Sequence, residues 1–286
     1  MFKAVRLSCG DRLFNIAGLS GNLVMTMKAP IVLIGIGELG GEFARGFLRY
    51  GHPVYPITRQ MAIPDAAEHI PTPELVLITV QESELDGILK ELPESWRDRV
   101  GLLQNELLPR HWQRHGIENP TVAVVWFEKK PGMALTNILY TPVYGPRADV
   151  LMQALEAIDI PTRLLKDEDQ LLFELLRKSL YIMTVNICGL SCGGTVGELC
   201  KRHRELALEV ALESVAILEW LSGRKLPAEK LIEGMIEGFE DCPDRNCLGR
   251  SARFRLERAL QYAGEAGLDA PRLNQIYRQV AQQDSI

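Results

Sequence analysis

The strongest constraint on the fold of these 286 residues is a glycine-punctuated bend between a β-branched run and a helical repeat. Ile31-Val32-Leu33-Ile34 is continuously apolar, the pattern of a strand buried on both faces of a parallel sheet. Gly35-Ile36-Gly37-Glu38-Leu39-Gly40 follows as G-x-G-x-x-G, and apolar residues then recur at helical spacing from Glu42 to Leu48 until Gly51. In that setting the first glycine permits the tight turn and the second removes a Cβ that would block a diphosphate. The third lets helix and strand approach each other. The helix N-terminus adds free N–H groups and partial positive charge. Gly35, Ile36, Gly37, Glu38, Leu39 and Gly40 are therefore the candidate phosphate cradle of a dinucleotide site.

The second strand, Pro53 to Thr58, bears on which dinucleotide. An acid about 20 residues on would accept from the ribose hydroxyls, whereas an arginine suits a 2′-phosphate. The strand ends Thr58-Arg59-Gln60 with no acid before Asp65, so NADP(H) is the expected coenzyme, with Thr58 and Arg59 at its adenosine end. Leu75 to Val80, Val100 to Gln104 and Thr121 to Trp126 read as the third to fifth strands, alternating with helical segments such as Glu84 to Glu91. Only 16 residues, Arg59 to Glu74, join the second strand to the third, too few for a helix-strand-helix excursion. The sheet edge is therefore trimmed, leaving the strand that holds Pro56 at the rim, where a missing N–H is tolerated. Ala134 to Tyr144 closes this region and Asp149 to Ile158 is amphipathic. Helical composition takes over from about 166, broken near Gly189, Gly193, Gly194 and Gly197, with further helices over 227–239, 252–264 and 271–283.

With 32 basic and 37 acidic residues the net charge is −5, which leaves no electrostatic footprint for nucleic acid or an anionic membrane. The longest apolar stretches fall far short of the ~18 residues of a membrane span. A small-molecule partner is the default. Six cysteines, at 9, 188, 192, 200, 242 and 247, are too sparse for a disulfide framework and suit reduced thiols in a cytoplasm. Cys188, Cys192, Cys200 and His203 offer zinc-type ligands, but Gly193-Gly194 breaks their helical register, so no metal is expected. His111 and His115 read as surface residues. Residues 1–26 carry no trustworthy period and read as an extension, the functional start lying near Met25 or Met27.

Taken together, four features resemble the ketopantoate reductases, within the 6-phosphogluconate dehydrogenase-like superfamily. They are the glycine turn, Thr58-Arg59, Leu102-Leu103-Gln104-Asn105, and Arg177-Lys178-Ser179-Leu180 leading to Asn186. The resemblance implies NADPH-dependent reduction of a 2-oxo acid, with Lys178 protonating the carbonyl oxygen as hydride arrives and Asn105 beside the nicotinamide. It also implies a homodimer. A cation at the forming alkoxide lowers the barrier to such a reaction on chemical grounds alone. Read without the resemblance, Lys178 would be an ordinary helix-surface lysine.

The departures from the family are specific. Ile182 stands where the family has a second asparagine, leaving Asn186, and Gln81 stands where a lysine approaches the coenzyme phosphates. The family's Asn-Gly pair is Asn105-Glu106 here. Its catalytic glutamate aligns, counting back from Gly267, with Ser251, and Glu257 is six positions out of register. The reading is thus α/β: an extension over 1–26, an N-terminal Rossmann-type, mostly parallel NADP-binding sheet domain over 27–165, and an all-helical C-terminal substrate and dimerisation domain over 166–286. The expected activity is reduction of a small carbonyl substrate other than ketopantoate, with Lys178 as general acid and Asn186 and Ser251 orienting. The alternatives are a catalytically silent NADP-binding sensor or scaffold and, third, an imine reductase.

Overall fold

The structure, a computed structural model, describes residues 28–283, so the expected extension over 1–26 lies outside the described residues. Strand β1 (Ile31–Ile34) pairs in parallel with β2 (Val54–Ile57) on one side and β3 (Leu75–Ile78) on the other. The sheet continues through β4 (Val100–Leu102) and β5 (Thr121–Ala123), all parallel. Of the strands that follow, β6 (Phe127–Glu128) and β7 (Thr136–Asn137) form a separate hairpin. Strand β8 (Thr141–Tyr144) then joins β5 antiparallel and β9 (Thr162–Leu164) joins β8 in parallel, giving the order β2-β1-β3-β4-β5-β8-β9.

The side-chain alternation of the strands divides the core into two layers. Ile31 and Leu33 pack with Phe43 and Phe47 of α1 (Glu38–Arg49) and Leu151 and Leu155 of α5 (Ala148–Glu156). Val32 and Ile34 face the opposite layer, which holds Ala66 of α2 (Ile63–His69) and Leu85 and Leu89 of α3 (Glu82–Glu91). A run apolar at every position is what a strand covered on both faces requires. The 16-residue connection carries only the short α2, and β2 stands at the sheet edge, as its length demanded. Ile31 donates to the Pro53 carbonyl and Gly35 to the Ile57 carbonyl, so the odd-numbered residues of β2 bond to β1 and Pro56 points its nitrogen outward.

Beyond β9 the elements of the described residues are helices, with one isolated antiparallel bridge between Thr195 and Asn246. Helix α6 (Glu168–Cys192) is capped by Asp167, whose Oδ1 accepts from the Gln170 N–H at 2.8 Å. Every residue from Glu174 to Gly189 is buried, because α8 (Arg204–Ser222), α9 (Ala228–Asp241), α10 (Ala252–Ala266) and α11 (Pro271–Gln283) surround it. Helix α6 ends at Gly193 and α7 (Val196–Arg202) follows, so the glycine group marks a true break. The N-terminal sheet of mostly parallel, Rossmann-type order and the helical C-terminal region together match the architecture expected. No described helix is long and apolar enough to cross a membrane.

Candidate active site

The order in which strands are added to the sheet reverses between β1 and β3, and the glycine turn sits at the carboxyl end of that switch point. Gly35 has φ +95°, and a Cβ on it would lie 3.0 Å from Val80 Cγ1. A Cβ at Gly40 would collide with the Gly35 carbonyl and lie 2.9 Å from Thr79 Oγ1, the hydroxyl that donates to the Ile34 carbonyl at 3.1 Å. Gly37 differs, since nothing lies within 4 Å of its Cβ position. Gly37 is also the N-cap of α1 and offers no side chain to the first N–H groups. Bare backbone facing open space at a helix N-terminus fits a diphosphate. Ile36 is exposed and Leu39 half-buried, while Glu38 is held by Lys129 at 3.4 Å.

The adenosine-end candidates flank this turn. Arg59 is largely exposed and reaches Glu84 at 2.9 Å, and Thr58 Oγ1 donates to Gln60 at 3.0 Å. Gln81 is the N-cap of α3, and its N–H donates to Glu84 Oε2 at 3.3 Å, so one carboxylate joins the Arg59 and Gln81 sides of the opening. Buried Gln104 donates to the Ile78 carbonyl at 2.8 Å, tying the end of β4 to β3 and fixing half-buried Asn105 beside it.

Lys178 is no surface lysine: it lies in the fully buried stretch of α6, 7% exposed. Its Nζ stands 4.2 Å from the centroid of the Trp126 ring and 6.0 Å from that of Tyr181. Burial holds its pKa well below the ordinary lysine value, and the charges of Arg245 and Arg255 add to this. Glu128 pulls the other way, while Arg177 reinforces the depression. The segment after β5 spans the site. Trp126 underlies Lys178, Glu128 pairs with Arg245 at 3.2 Å, and Lys129 reaches back to Glu38 in the glycine turn.

A network that the sequence reading missed lies where the family pattern departs. Glu106 has φ +55°, the left-handed conformation that glycine adopts freely. The backbone thus keeps the bend of an Asn-Gly pair while carrying a carboxylate. That carboxylate accepts from Arg255 Nε at 2.5 Å and from Arg258. Arg255 also donates to Asn186 Oδ1 at 3.0 Å and approaches Glu82 at 3.4 Å. Asn186 Nδ2 in turn donates to the Cys247 carbonyl at 3.3 Å. Ser251 is half-buried at the N-cap of α10, where its carbonyl accepts from the Arg255 N–H at 2.9 Å. Glu257 lies away from the network, paired at the surface with Arg253 at 3.1 Å. The signal for Arg255 was present in the sequence: it shares a helical face with Ala252, Leu256, Ala259 and Ala263, all buried.

The two histidines expected at the surface are partly buried instead. His111 Nδ1 accepts from the Leu108 N–H at 2.9 Å, and burial, then the charges of Arg114, Arg110 and Arg258, hold its pKa down at about 4. His115 Nε2 meets Asp86 at 2.8 Å. The reason is Trp112 between them, which anchors the short α4 (Arg110–Gln113) in the core. Cys188 and Cys247 are buried and the other described cysteines half-buried.

No family model and no curated protein matches the sequence. Solved structures do match in fold. The 2-dehydropantoate 2-reductase from Methylococcus capsulatus superimposes with a TM-score of 0.66 at 14% identity, over 89% of this chain and 96% of that one. The PanE/ApbA family ketopantoate reductase from Ralstonia eutropha JMP134 gives 0.62 at 15% identity, over 88% and 97%. A ternary structure of D-mandelate dehydrogenase with NADH and anilino(oxo)acetate gives 0.63 at 13% identity, over 89% and 99%. The chain has the ketopantoate reductase fold.

Proposed function

We propose that this chain is an NADPH-dependent reductase of a small 2-oxo acid other than ketopantoate. The observation that carries the reading is a lysine buried among arginines, joined through residues 126–129 to a glycine turn whose middle glycine faces open space. The coenzyme would supply hydride to the carbonyl carbon. Lys178, as ammonium, hydrogen-bonds the carbonyl oxygen and gives it a proton as charge develops there, leaving a 2-hydroxy acid and a neutral amine that recovers its proton from water. Gly35 to Gly40 hold the diphosphate, Thr58 and Arg59 the 2′-phosphate, and Gln81 and Asn105 border the coenzyme. Asn186, held by Arg255 and the Cys247 carbonyl, and Ser251 at the start of α10 are positioning residues.

The D-mandelate dehydrogenase with NADH supports the reaction class without deciding between coenzymes. Arg59→Asp is expected to weaken NADPH binding much more than NADH binding in calorimetry; equal losses would remove the 2′-phosphate role. Lys178→Met is expected to lower kcat for NADPH oxidation about 100-fold or more while coenzyme binding persists. One observation favours the silent binder: both ends of the Asn186 amide are already occupied by the protein. Wild-type protein that binds NADPH yet oxidises none of it with 2-oxo acids, aldehydes or imines would establish that second reading.

A further inference from the structure

Trp126 Nε1, Tyr181 Oη and Arg245 Nη1 are each buried without a hydrogen-bond partner, and Tyr181 and Trp126 are fully enclosed. The three residues belong together, since the Trp126 and Tyr181 rings meet edge to face at 5.2 Å and the Arg245 guanidinium lies 6.0 Å from the Tyr181 ring. Arg245 stands near the Tyr181 hydroxyl without a well-formed hydrogen bond to it. Buried donors left in this state have lost their hydration without compensation, so an acceptor that reached them would be favoured.

Arg245 is satisfied on one side only. Its Nη2 binds Glu128 at 3.2 Å, whereas its Nη1 binds nothing, so a fork suited to gripping both oxygens of a carboxylate is used on one prong. Its side chain retains 23% exposure and Glu128 26%, so the ion pair, though not the buried Nη1 itself, is in contact with solvent. The loop between α9 and α10 that carries it is rigidly seated. Val196 donates to the Arg245 carbonyl at 2.8 Å, Gly197 to the Pro243 carbonyl at 2.7 Å, and Cys247 to the Gly194 carbonyl at 3.0 Å. A Cβ on Gly189 would strike Cys247 and Leu248 at 2.8–2.9 Å, so that loop lies flat on α6.

We propose that Arg245, with the Tyr181 hydroxyl, receives the carboxylate of the substrate, and that Glu128 holds one prong of the guanidinium until that carboxylate takes its place. The proposal rests on the reductase reading and deepens it. Arg245 supplies the acid recognition, so that the site demands a carboxylate beside the carbonyl that Lys178 protonates. The arriving negative charge also offsets the arginines that depress Lys178 and favours its ammonium form.

The test uses the full chain saturated with NADPH, with oxamate as a non-reducible 2-oxo acid isostere and its ethyl ester as the uncharged counterpart. Dissociation constants are read from tryptophan fluorescence. Wild type is expected to bind oxamate about 10- to 100-fold more tightly than the ester, and Arg245→Met to erase that preference while NADPH affinity is unchanged. Arg245→Lys should recover part of it. Glu128→Gln should tighten oxamate binding several-fold, a gain that loss of structure would not produce and a check that stands if Arg245→Met fails to fold. Equal affinity for oxamate and ester in wild type, or unchanged oxamate affinity in Arg245→Met, overturns the proposal and leaves the reductase reading intact. Absence of NADPH binding in wild type overturns the reading and the proposal with it.

Discussion

Lys178 and His111 are both ionisable groups withdrawn from water, and each links pH to a different property. The pKa of Lys178 is depressed in the folded state, so below that value the native protein must hold a buried charge that the unfolded chain hydrates freely. Stability should therefore rise with pH through the interval between the folded and unfolded values, while the proton donor is already lost as pH rises through the lower, folded value. Lys178→Met is accordingly expected to raise Tm by about 2–4 °C as it abolishes reduction, in calorimetry at neutral pH. Wild-type reduction rates should decline as pH climbs toward a value well below that of an ordinary lysine. His111, with a folded pKa of about 4, binds its proton later than the unfolded chain on acidification. Its contribution is complete above about 6.5 and is lost as pH falls toward 4. In His111→Asn the amide oxygen can still accept from Leu108, so urea melts from pH 7 to 4 should show a shallower loss of stability than wild type. An identical slope would remove His111 from that account.

At the scale of elements, the glycine turn separates what the fold needs from what a ligand needs. A methyl group at Gly40 meets the Gly35 carbonyl and Thr79, so Gly40→Ala should lower stability by about 1–3 kcal/mol. Gly37→Ala meets no protein atom, so it should leave Tm unchanged yet abolish coenzyme binding in calorimetry, and full retention of binding would refute the cradle. The strand-turn-helix order that made this motif legible lies within twenty residues and is dictated by local chemistry. The same holds for α6, whose capping aspartate and terminal glycines mark its ends. The limits of that legibility are instructive. Strands β3 and β5 end at Ile78 and Ala123, earlier than their apolar runs, because Val80 and Trp126 serve the loops of the site and not the ladder. Lys178 could not be told from a surface lysine by spacing, since a helix surrounded on all sides gives its polar residues no solvent face. Arg245 and Tyr181 are 64 residues apart in a chain that says nothing locally of their meeting.

For the molecule as a whole, the Glu106 network is one of the ionic ties between the sheet and the helices, linking the loop after β4 and the start of α3 to α6 and α10. Substitution of Glu106 by glycine would relieve the left-handed backbone, worth about 1–2 kcal/mol. It would also leave the buried Arg255 charge with Glu82 at 3.4 Å as its remaining carboxylate, and breaking a buried pair costs about 3–5 kcal/mol. Net destabilisation of about 2 kcal/mol is therefore expected in urea melts, whereas a more stable variant would show that the tie is ornamental. At the far rim of the sheet, Pro56 turns a nitrogen without hydrogen toward the outside, where a foreign strand would otherwise find a donor. Partly unfolded or crowded copies of this protein are thereby denied a template for edge-to-edge polymerisation at β2, a safeguard against aggregation built into one imino acid.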